Sequence, residues 1–415
     1  MKPLTPEGVV TEPAVRGPSR RRRLLILVIC CMSLVIVGLD NTIVNVALPS
    51  IQRDLHASVS GLQWVVDAYT LVLASLLVLS GSTADRFGRR RTFQAGLATF
   101  TIGSLLCSLA PSLGWLVVFR MLQAVGGSML NPVAMSIIVN TFTDRAERAR
   151  AIGVWGAAIG VSLALGPVVG GLLIASVGWR GIFWVNIPVG VAAIVLTALF
   201  VPESKAPHPR RLDAVGQVLV IVTLASLIYG IIEGPEHGWG SPEIIGCFAL
   251  FAVALATLLV YEPRRREPLL DLRFFRSAPF SSATIIAVCM FAVFSGFLFL
   301  NALYLQEVRG LSAFTTGLYT LPLAQAGVAS AIASTSRQVG QSLGVAVAGS
   351  AVTSVMVGPM RTGFTTASHV GWWIITGCGL VVLIVGLVTS GRWARQTAAR
   401  TADQLMSEEA PVPVG

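Results

Sequence analysis

Three charged residues inside long apolar stretches are the side chains best placed to do chemistry: Asp40, Asp67 and Arg120. A charge at the centre of a bilayer costs about 2.5–3.5 kcal/mol on insertion scales, so it usually faces water, a partner or a proton path. Arginine keeps its proton, and an arginine near two carboxylates can lower their affinity for protons until the geometry changes. The pattern predicts proton coupling by these three residues. The alternatives are a structural Asp40 and static buried ion pairs.

Uncharged polar residues accompany these charges on the same predicted helices. Asn41 and Asn45 are four residues apart and share a face close to that of Asp40. The others share a face with Asp67 or with Arg120 by the same helical spacing. Together they predict the polar wall of a cavity: Asn41, Asn45, Gln63, Gln123 and Asn131.

The composition excludes a soluble protein. Of 415 residues, 54% are hydrophobic and only 12% are charged, and the mean hydropathy is +0.75. Apolar runs of roughly 18–25 residues recur along the chain, which is the length needed to cross about 30 Å of hydrocarbon. We predict an all-α polytopic membrane protein with about twelve membrane segments. The net charge of +10 is not taken as a sign of nucleic acid binding, because the basic residues lie in short loops between apolar runs.

The distribution of basic residues predicts the orientation. If the N-terminus is cytoplasmic, nearly all of the 30 lysines and arginines fall on the cytoplasmic side. Only four would lie outside: Arg53, Arg180, Arg309 and Arg361. This asymmetry predicts that both termini are cytoplasmic. The scarcity of lysine suggests a GC-rich genome, so we expect the plasma membrane of a bacterium.

Shifts in composition divide the chain into five parts. The predicted parts are a disordered N-tail (1–19), a first six-helix bundle (20–201), a linker region with two extra spans (202–278), a shortened second bundle (279–390) and a cytoplasmic C-tail (391–415). The boundary near 202 is the clearest, because prolines and basic residues follow one another there.

A basic loop joins the second and third predicted spans. Its glycines allow a tight turn, and its aspartate can cap a helix or pair with an arginine. We predict a latch that forms in one conformation and breaks in another, made of Gly81, Asp85, Arg86, Gly88, Arg89 and Arg90. The alternative is a loop that serves only the charge bias.

A glycine-proline block stands in the fifth predicted span. Small residues let helices approach closely, and proline permits a bend. Packing alone would explain the glycines, but the block is more specific than packing requires: Gly166, Pro167, Gly170 and Gly171.

The order of these motifs resembles that of the major facilitator superfamily, in particular its fourteen-helix drug:proton antiporter branch. Further blocks similar to that branch are Trp179–Pro188, Ile232–Pro235, Pro268–Leu272, Leu303–Gln306 and Thr335–Gly340. The resemblance implies two bundles that rock around a central cavity, with two extra helices between them. It also implies proton coupling by Asp40 and Arg120 and an antiporter role for the glycine-proline block.

One departure from the branch is large. Near residues 322–327 the chain passes directly into what resembles the thirteenth helix, so about two spans and a loop are missing. We predict a four-helix second bundle and a cytoplasmic reversal, either held by Gln325–Gln341 or placed earlier, at Gln325–Gly327.

The predicted function is proton-coupled efflux of lipophilic or cationic small molecules, such as drugs or antibiotics, by alternating access. The alternative is a transport-incompetent or binding protein that retains the first bundle. No nucleophile–base pair, metal cluster or phosphate loop indicates an enzyme. The expected partners are a small-molecule substrate, protons and the lipid bilayer, with the proton gradient in place of a cofactor and with a monomer favoured.

Overall fold

The computed structural model describes most of the chain. The described residues are 19–207, 213–265, 268–269, 271–327, 334–358, 360–389, 396–397 and 400. The predicted tails, 1–19 and 391–415, lie almost entirely outside them.

The described chain is helical nearly throughout, as predicted. The first seven helices are α1 (Arg20–Leu55), α2 (Val59–Phe87), α3 (Arg89–Ser108), α4 (Leu113–Thr141), α5 (Arg145–Val177), α6 (Gly181–Trp184) and α7 (Asn186–Phe200). The others are α8 (Ala214–His237), α9 (Pro242–Tyr261), α10 (Ala278–Leu303), α11 (Ala313–Gly327), α12 (Ser334–Val355) and α13 (Met360–Thr389). A π-helical turn, Tyr304–Val308, continues α10.

Side-chain caps fix where several helices begin. Ser58 before α2, Asp144 before α5 and Ser241 before α9 each accept a hydrogen bond from the backbone N–H three residues later. Such caps satisfy one of the N–H groups that a helix start leaves unpaired. The sequence thus marks these starts with short polar residues ahead of apolar runs.

Within the described residues, nine helical segments are long and apolar enough to cross a membrane. The segment 181–200 counts as one of them, although α6 and α7 are interrupted at Val185. The helices α3, α11 and α12 are shorter or more polar and are not among the nine, so the count of about twelve membrane segments stays a prediction. The fold class is confirmed.

The first seven helices form one bundle with two distinguishable ends. At the arginine-rich end, where α1 starts and α2 meets α3, Arg23 pairs with Glu147 at 3.3 Å. At the opposite end, Arg180 after α5 pairs with Asp54 of α1 at 2.7 Å.

Glycines set the spacing of α3 and α4 in the first bundle. A Cβ at Gly103 would lie 2.6 Å from the Cα of Gln123, and a Cβ at Gly126 would collide with the backbone of Phe100. The two helices therefore touch through their backbones, and any larger residue would separate them. This contact fixes the depth at which Gln123 enters the bundle.

The remaining helices are arranged around the first bundle. The helices α10, α12 and α13 pack on one another, whereas α11 packs mainly against α5. The extra helix α8 lies between α2 and α12, where Gln217 donates a 2.6 Å hydrogen bond to the carbonyl of Ser75, and α9 packs on α8. Only 6% of the most apolar stretch of α13 is buried. No other described helix covers the outer face of α13.

Neither predicted position of the reversal is a turn in the structure. Gln325–Gly327 forms the end of α11, and Arg337 and Gln341 lie inside α12, which begins at Ser334. Residues 328–333 lie outside the described residues. A helix of 15 residues is about 22 Å long, shorter than the hydrocarbon layer.

Candidate functional site

A buried carboxylate lies at the centre of the first bundle. Asp40 is fully buried, and its Oδ2 accepts a 2.5 Å hydrogen bond from Nη1 of Arg120. Its Oδ1 accepts bonds from the amides of Gln123 at 2.8 Å and Asn186 at 3.0 Å. The hydroxyl of Ser104 accepts further bonds from the same two amides. We call these five residues the carboxylate cluster.

Arg120 makes further contacts within this cluster and around it. Its Nη1 also donates to Oε1 of Gln123 at 2.7 Å, and its Nε donates to the carbonyl of Val65 at 3.2 Å. The guanidinium carbon lies 4.0 Å from the centre of the Tyr69 ring, a cation–π distance. A buried ion pair offsets its desolvation only when its remaining donors and acceptors are also satisfied, and here nearly all of them are.

Two members of the cluster, Asn186 and Ser104, were not predicted as site residues from the sequence. Asn186 starts α7 immediately after the interruption at Val185, within the block Trp179–Pro188 that resembles the antiporter branch. Its place in that block was the feature of the sequence that could have indicated Asn186 as a site residue. Ser104 has no such feature, because single serines are common within helices.

The prediction that one arginine lies near both acids is wrong. Arg120 pairs with Asp40, and no salt bridge joins it to Asp67 in the described residues. Oδ1 of Asp67 accepts a 3.5 Å bond from Thr70, its Oδ2 has no hydrogen-bond partner, and Ser342 of α12 lies close by. The reason is rotation about α2: the Val65 carbonyl faces α4, whereas Asp67 faces α12.

The residues of the predicted polar wall lie in several different surroundings. Gln123 belongs to the carboxylate cluster, whereas Nδ2 of Asn41 donates to Oε1 of Gln341 on α12 at 2.9 Å. Asn45 is turned back on its own helix and donates to the carbonyl of Asn41. Adjacent residues, Asp40 and Asn41, thus connect α1 to the first-bundle core and to α12.

Further contacts join the first bundle to α10–α12 towards the opposite end. Nε2 of Gln63 donates to the carbonyls of Val345 and Ala346 at 3.2 and 2.9 Å. Nε2 of Gln306 donates to the carbonyl of Val46 at 2.9 Å. Among the described residues, every hydrogen bond between these two groups of helices lies at the level of Asn41 or beyond it. The opposite end is therefore closed.

A cavity lies on the arginine-rich side of these contacts. It encloses only about 10 Å³, and its polar lining is Asn41, Asn131, Arg337, Gln338 and Gln341. Its apolar lining comes from α1 and α5: Leu34, Val37, Gly38, Ile159 and Leu163. That space admits roughly one water molecule. Pockets for drug-sized ligands have roughly 300–1,000 Å³, so the helices that line this cavity would have to separate before such a substrate could enter.

The loop that was predicted to act as a latch contains an ion pair and a capped helix start. Arg89 donates to Oδ1 of Asp85 at 2.8 Å, one helical turn away. Gly88 between α2 and α3 has φ +113°, which favours glycine, and a Cβ there would lie 2.6 Å from Glu203. The Glu203 carboxylate accepts the backbone N–H groups of Arg90 and Arg91, which open α3.

Segment 203–206 covers this loop, which the sequence analysis did not foresee. The N–H of Arg89 donates to the carbonyl of Ser204, and the N–H of Ala206 donates to the carbonyl of Asp85. The expectation that Gly81 helps to form the turn is wrong, since Gly81 lies inside α2. The Arg86 guanidinium lies over the Phe87 ring at 5.9 Å.

The glycine-proline block packs α5 between α1 and α11. Cβ atoms at Gly166 and Gly170 would collide with α1, at Thr42 and Ile43. A Cβ at Gly171 would lie 2.5 Å from Cα of Phe314 on α11. On the other side of that contact, a Cβ at Gly317 would collide with the carbonyl of Pro167. The block therefore lies at a contact between the first bundle and α11, and not only within the first bundle.

A sequence model described as Major Facilitator Superfamily matches residues 30–402. The chain belongs to the major facilitator superfamily. That family consists of membrane transporters and not of enzymes. Among the described residues, no group of three or more His, Cys, Asp or Glu side chains is arranged to hold a metal ion.

Curated relatives cover much of the chain. The tetracenomycin C resistance and export protein of Streptomyces glaucescens is 36% identical over 379 residues, 86% of this chain and 67% of that protein. The multidrug resistance protein Stp of Mycobacterium tuberculosis is 39% identical over 295 residues, 71% of this chain and 55% of that protein. The chain thus spans between about half and two thirds of the length of these relatives.

Solved structures show the same fold. The POT family transporter PepTSo has a TM-score of 0.56 at 13% identity, over 94% of this chain and 99% of that one. PepTSo2 has a TM-score of 0.57 at 12% identity, over 89% of this chain and 98% of that one. At such identities the likeness concerns the fold alone.

Proposed function

We propose that the protein is a proton-coupled exporter of lipophilic small molecules, such as drugs or antibiotics, that works by alternating access. One observation carries the proposal: a fully buried aspartate–arginine pair one residue away from a polar contact with the facing bundle. The relatives support the direction of transport, because they are named as resistance, export and efflux proteins.

Asp40 is the proposed proton carrier. A proton on Oδ2 would remove the charge that holds Nη1 of Arg120 and would leave the arginine with Gln123 and the Val65 carbonyl. An uncompensated arginine in this position is costly, so the arrangement around it must change. Asp67, which faces α12, is a second proposed site for protons.

The coupling to the cavity is proposed to run through α1. Movement of α1 at Asp40 also moves Asn41, whose hydrogen bond to Gln341 closes the cavity towards the opposite end. Breaking that bond would loosen α1 from α12 at the level of the cavity. A protonation event would thus change the contact between bundles without long-range relay residues.

Two packed contacts are proposed to set the balance between conformations. The latch of Asp85 and Arg89, with Glu203 as its cap, holds α2 and α3 together at the arginine-rich end. The contact of Gly171 with α11 lies farther towards the opposite end, where small residues permit the helices to slide or tilt.

The topology follows from the charge distribution. We propose that the arginine-rich end is cytoplasmic, that both termini lie on that side and that the membrane is the plasma membrane of a bacterium. We further propose membership of the fourteen-helix drug:proton antiporter branch, with an internal deletion near 322–327 that leaves α10–α13 as the second bundle. A monomer suffices for this mechanism.

The test is transport into inside-out membrane vesicles. Vesicles that contain the protein should accumulate tetracenomycin C when their lumen is made acidic, and a protonophore should abolish the accumulation. Vesicles with an Asp40→Asn, Arg120→Gln variant serve as the control. Accumulation that ignores the pH gradient would contradict proton coupling.

The alternative is a membrane binding protein that does not transport. It is favoured by the open face of α13 and by the short α11, which is about 22 Å long. Equilibrium binding of the same compounds to purified protein, without gradient-driven accumulation in vesicles, would establish it.

A further inference from the structure

A second buried arginine lies in the cavity between the bundles. Arg337 of α12 is 6% exposed, comparable with Arg120 at 1%. Unlike Arg120, it forms no salt bridge with any carboxylate in the described part of the chain, and its Nε has no hydrogen-bond partner there. Its guanidinium carbon lies 5.9 Å from the centre of the Phe291 ring, at the outer limit of a cation–π contact.

A buried arginine in this position would be stabilised by an anion bound beside it. Its guanidinium stays protonated in proteins, so burial cannot be relieved by loss of the charge. Asp40 is already engaged by Arg120, and Asp67 lies near Ser342, five residues or roughly 7.5 Å farther along α12. Neither acid is therefore available to Arg337 in this arrangement.

Other unsatisfied polar atoms face the same cavity. Oε1 of Gln338 and Oδ1 of Asn131 are buried and have no hydrogen-bond partner among the described residues. Buried polar atoms are usually paired, so three orphans in one cavity wall indicate groups that a ligand would satisfy. Among the described residues that line the cavity there is no Asp or Glu, and apolar residues of α1 and α5 form the rest of that lining.

We propose that this cavity selects lipophilic molecules that carry an anionic group, such as a carboxylate or a phenolate. Arg337 is the specificity-determining residue and pairs with the anion, while Gln338 and Asn131 accept hydrogen bonds from hydroxyl or N–H groups. The proposal rests on the proposed function and names its substrate class. It replaces the sequence-based expectation of cationic substrates, because a cation here would meet an uncompensated arginine.

The test is equilibrium binding to the purified full chain in phosphatidylcholine nanodiscs, followed by calorimetry. Three probes share one ring system: 2-naphthoate, neutral 2-naphthamide and cationic 2-naphthylmethylammonium. We expect the wild type to bind naphthoate about tenfold or more tightly than the other two. Arg337→Gln should remove that preference, and Arg337→Lys should retain most of it. Arg309→Gln, at an exposed arginine, should leave it unchanged.

Two results would overturn the proposal. One is equal binding of naphthoate by the wild type and Arg337→Gln, with both variants folded by their thermal transitions. The other is displacement of naphthoate by phosphatidylglycerol in the nanodisc in an Arg337-dependent way, which would assign the arginine to a lipid headgroup. The binding assay contains no proton gradient, so it is independent of transport. Selective binding by a protein that does not transport would contradict the proposed function alone. Transport without a charge preference in binding would contradict this proposal alone.

Discussion

Removing the negative charge of Asp40 should destabilise the protein through the partner it leaves behind. Asp40→Asn keeps the size of the side chain but leaves Arg120, which is 1% exposed, without its counter-charge. It also places an amide where Asn186 and Gln123 already donate. Removing one partner of a buried pair costs about 3–5 kcal/mol. We expect a loss of that size in the free energy of unfolding.

A double-mutant cycle separates the ion pair from general damage at the site. The measurement is unfolding of the purified protein in mixed micelles for Asp40→Asn, Arg120→Gln and the double variant. We expect the double variant to be more stable than the sum of the single changes predicts, with a coupling of about 2 kcal/mol or more. Asp67→Asn is the matched control: it strands no counter-charge and its amide oxygen can still accept the 3.5 Å bond from Thr70, so it should lower stability by less than about 1 kcal/mol. A coupling near zero would refute the argument that the pair holds the cluster together.

Two glycine contacts give further predictions. Gly88→Ala combines φ +113° with a clash against Glu203, so it should lower stability by more than Gly178→Ala, at a site with φ +82° and open space. Thermal unfolding compares the two variants. Equal losses of stability would contradict a role for the clash. Gly317→Leu should block the approach of α11 to α5 and reduce transport in vesicles at least about tenfold. Gly153→Leu, at a site with nothing within 4 Å, should leave transport unchanged. Equal transport by the two variants would show that the α5–α11 contact is dispensable.

The sequence was sufficient for the fold because its signals are local and strong. Runs of apolar residues long enough to cross a bilayer define helices whatever their partners, and Asp144 or Ser241 marks where a helix begins. The pair of Asp85 with Arg89 was likewise accessible, since residues four apart on a helix are neighbours.

The partners of the buried charges could not be read from the same signals. Whether Arg120 meets Asp40 or Asp67 depends on the rotation of α1 and α2 about their axes, which the tertiary packing sets. The helical pattern alone placed Asn41 beside Asp40, yet one faces α12 and the other faces the first-bundle core. Glu203 was missed because its partners are backbone N–H groups more than a hundred positions earlier, and those leave no trace in residue type.

Proton movement driven by substrate tests the central claim most directly. Proteoliposomes that contain the protein and an internal pH-sensitive dye receive tetracenomycin C on one side, and the change in internal pH is recorded. The wild type should move protons on addition of the compound. Asp40→Asn should show no proton movement but should still exchange labelled for unlabelled compound. Proton movement by Asp40→Asn equal to that of the wild type would contradict the assignment of Asp40 as the proton carrier.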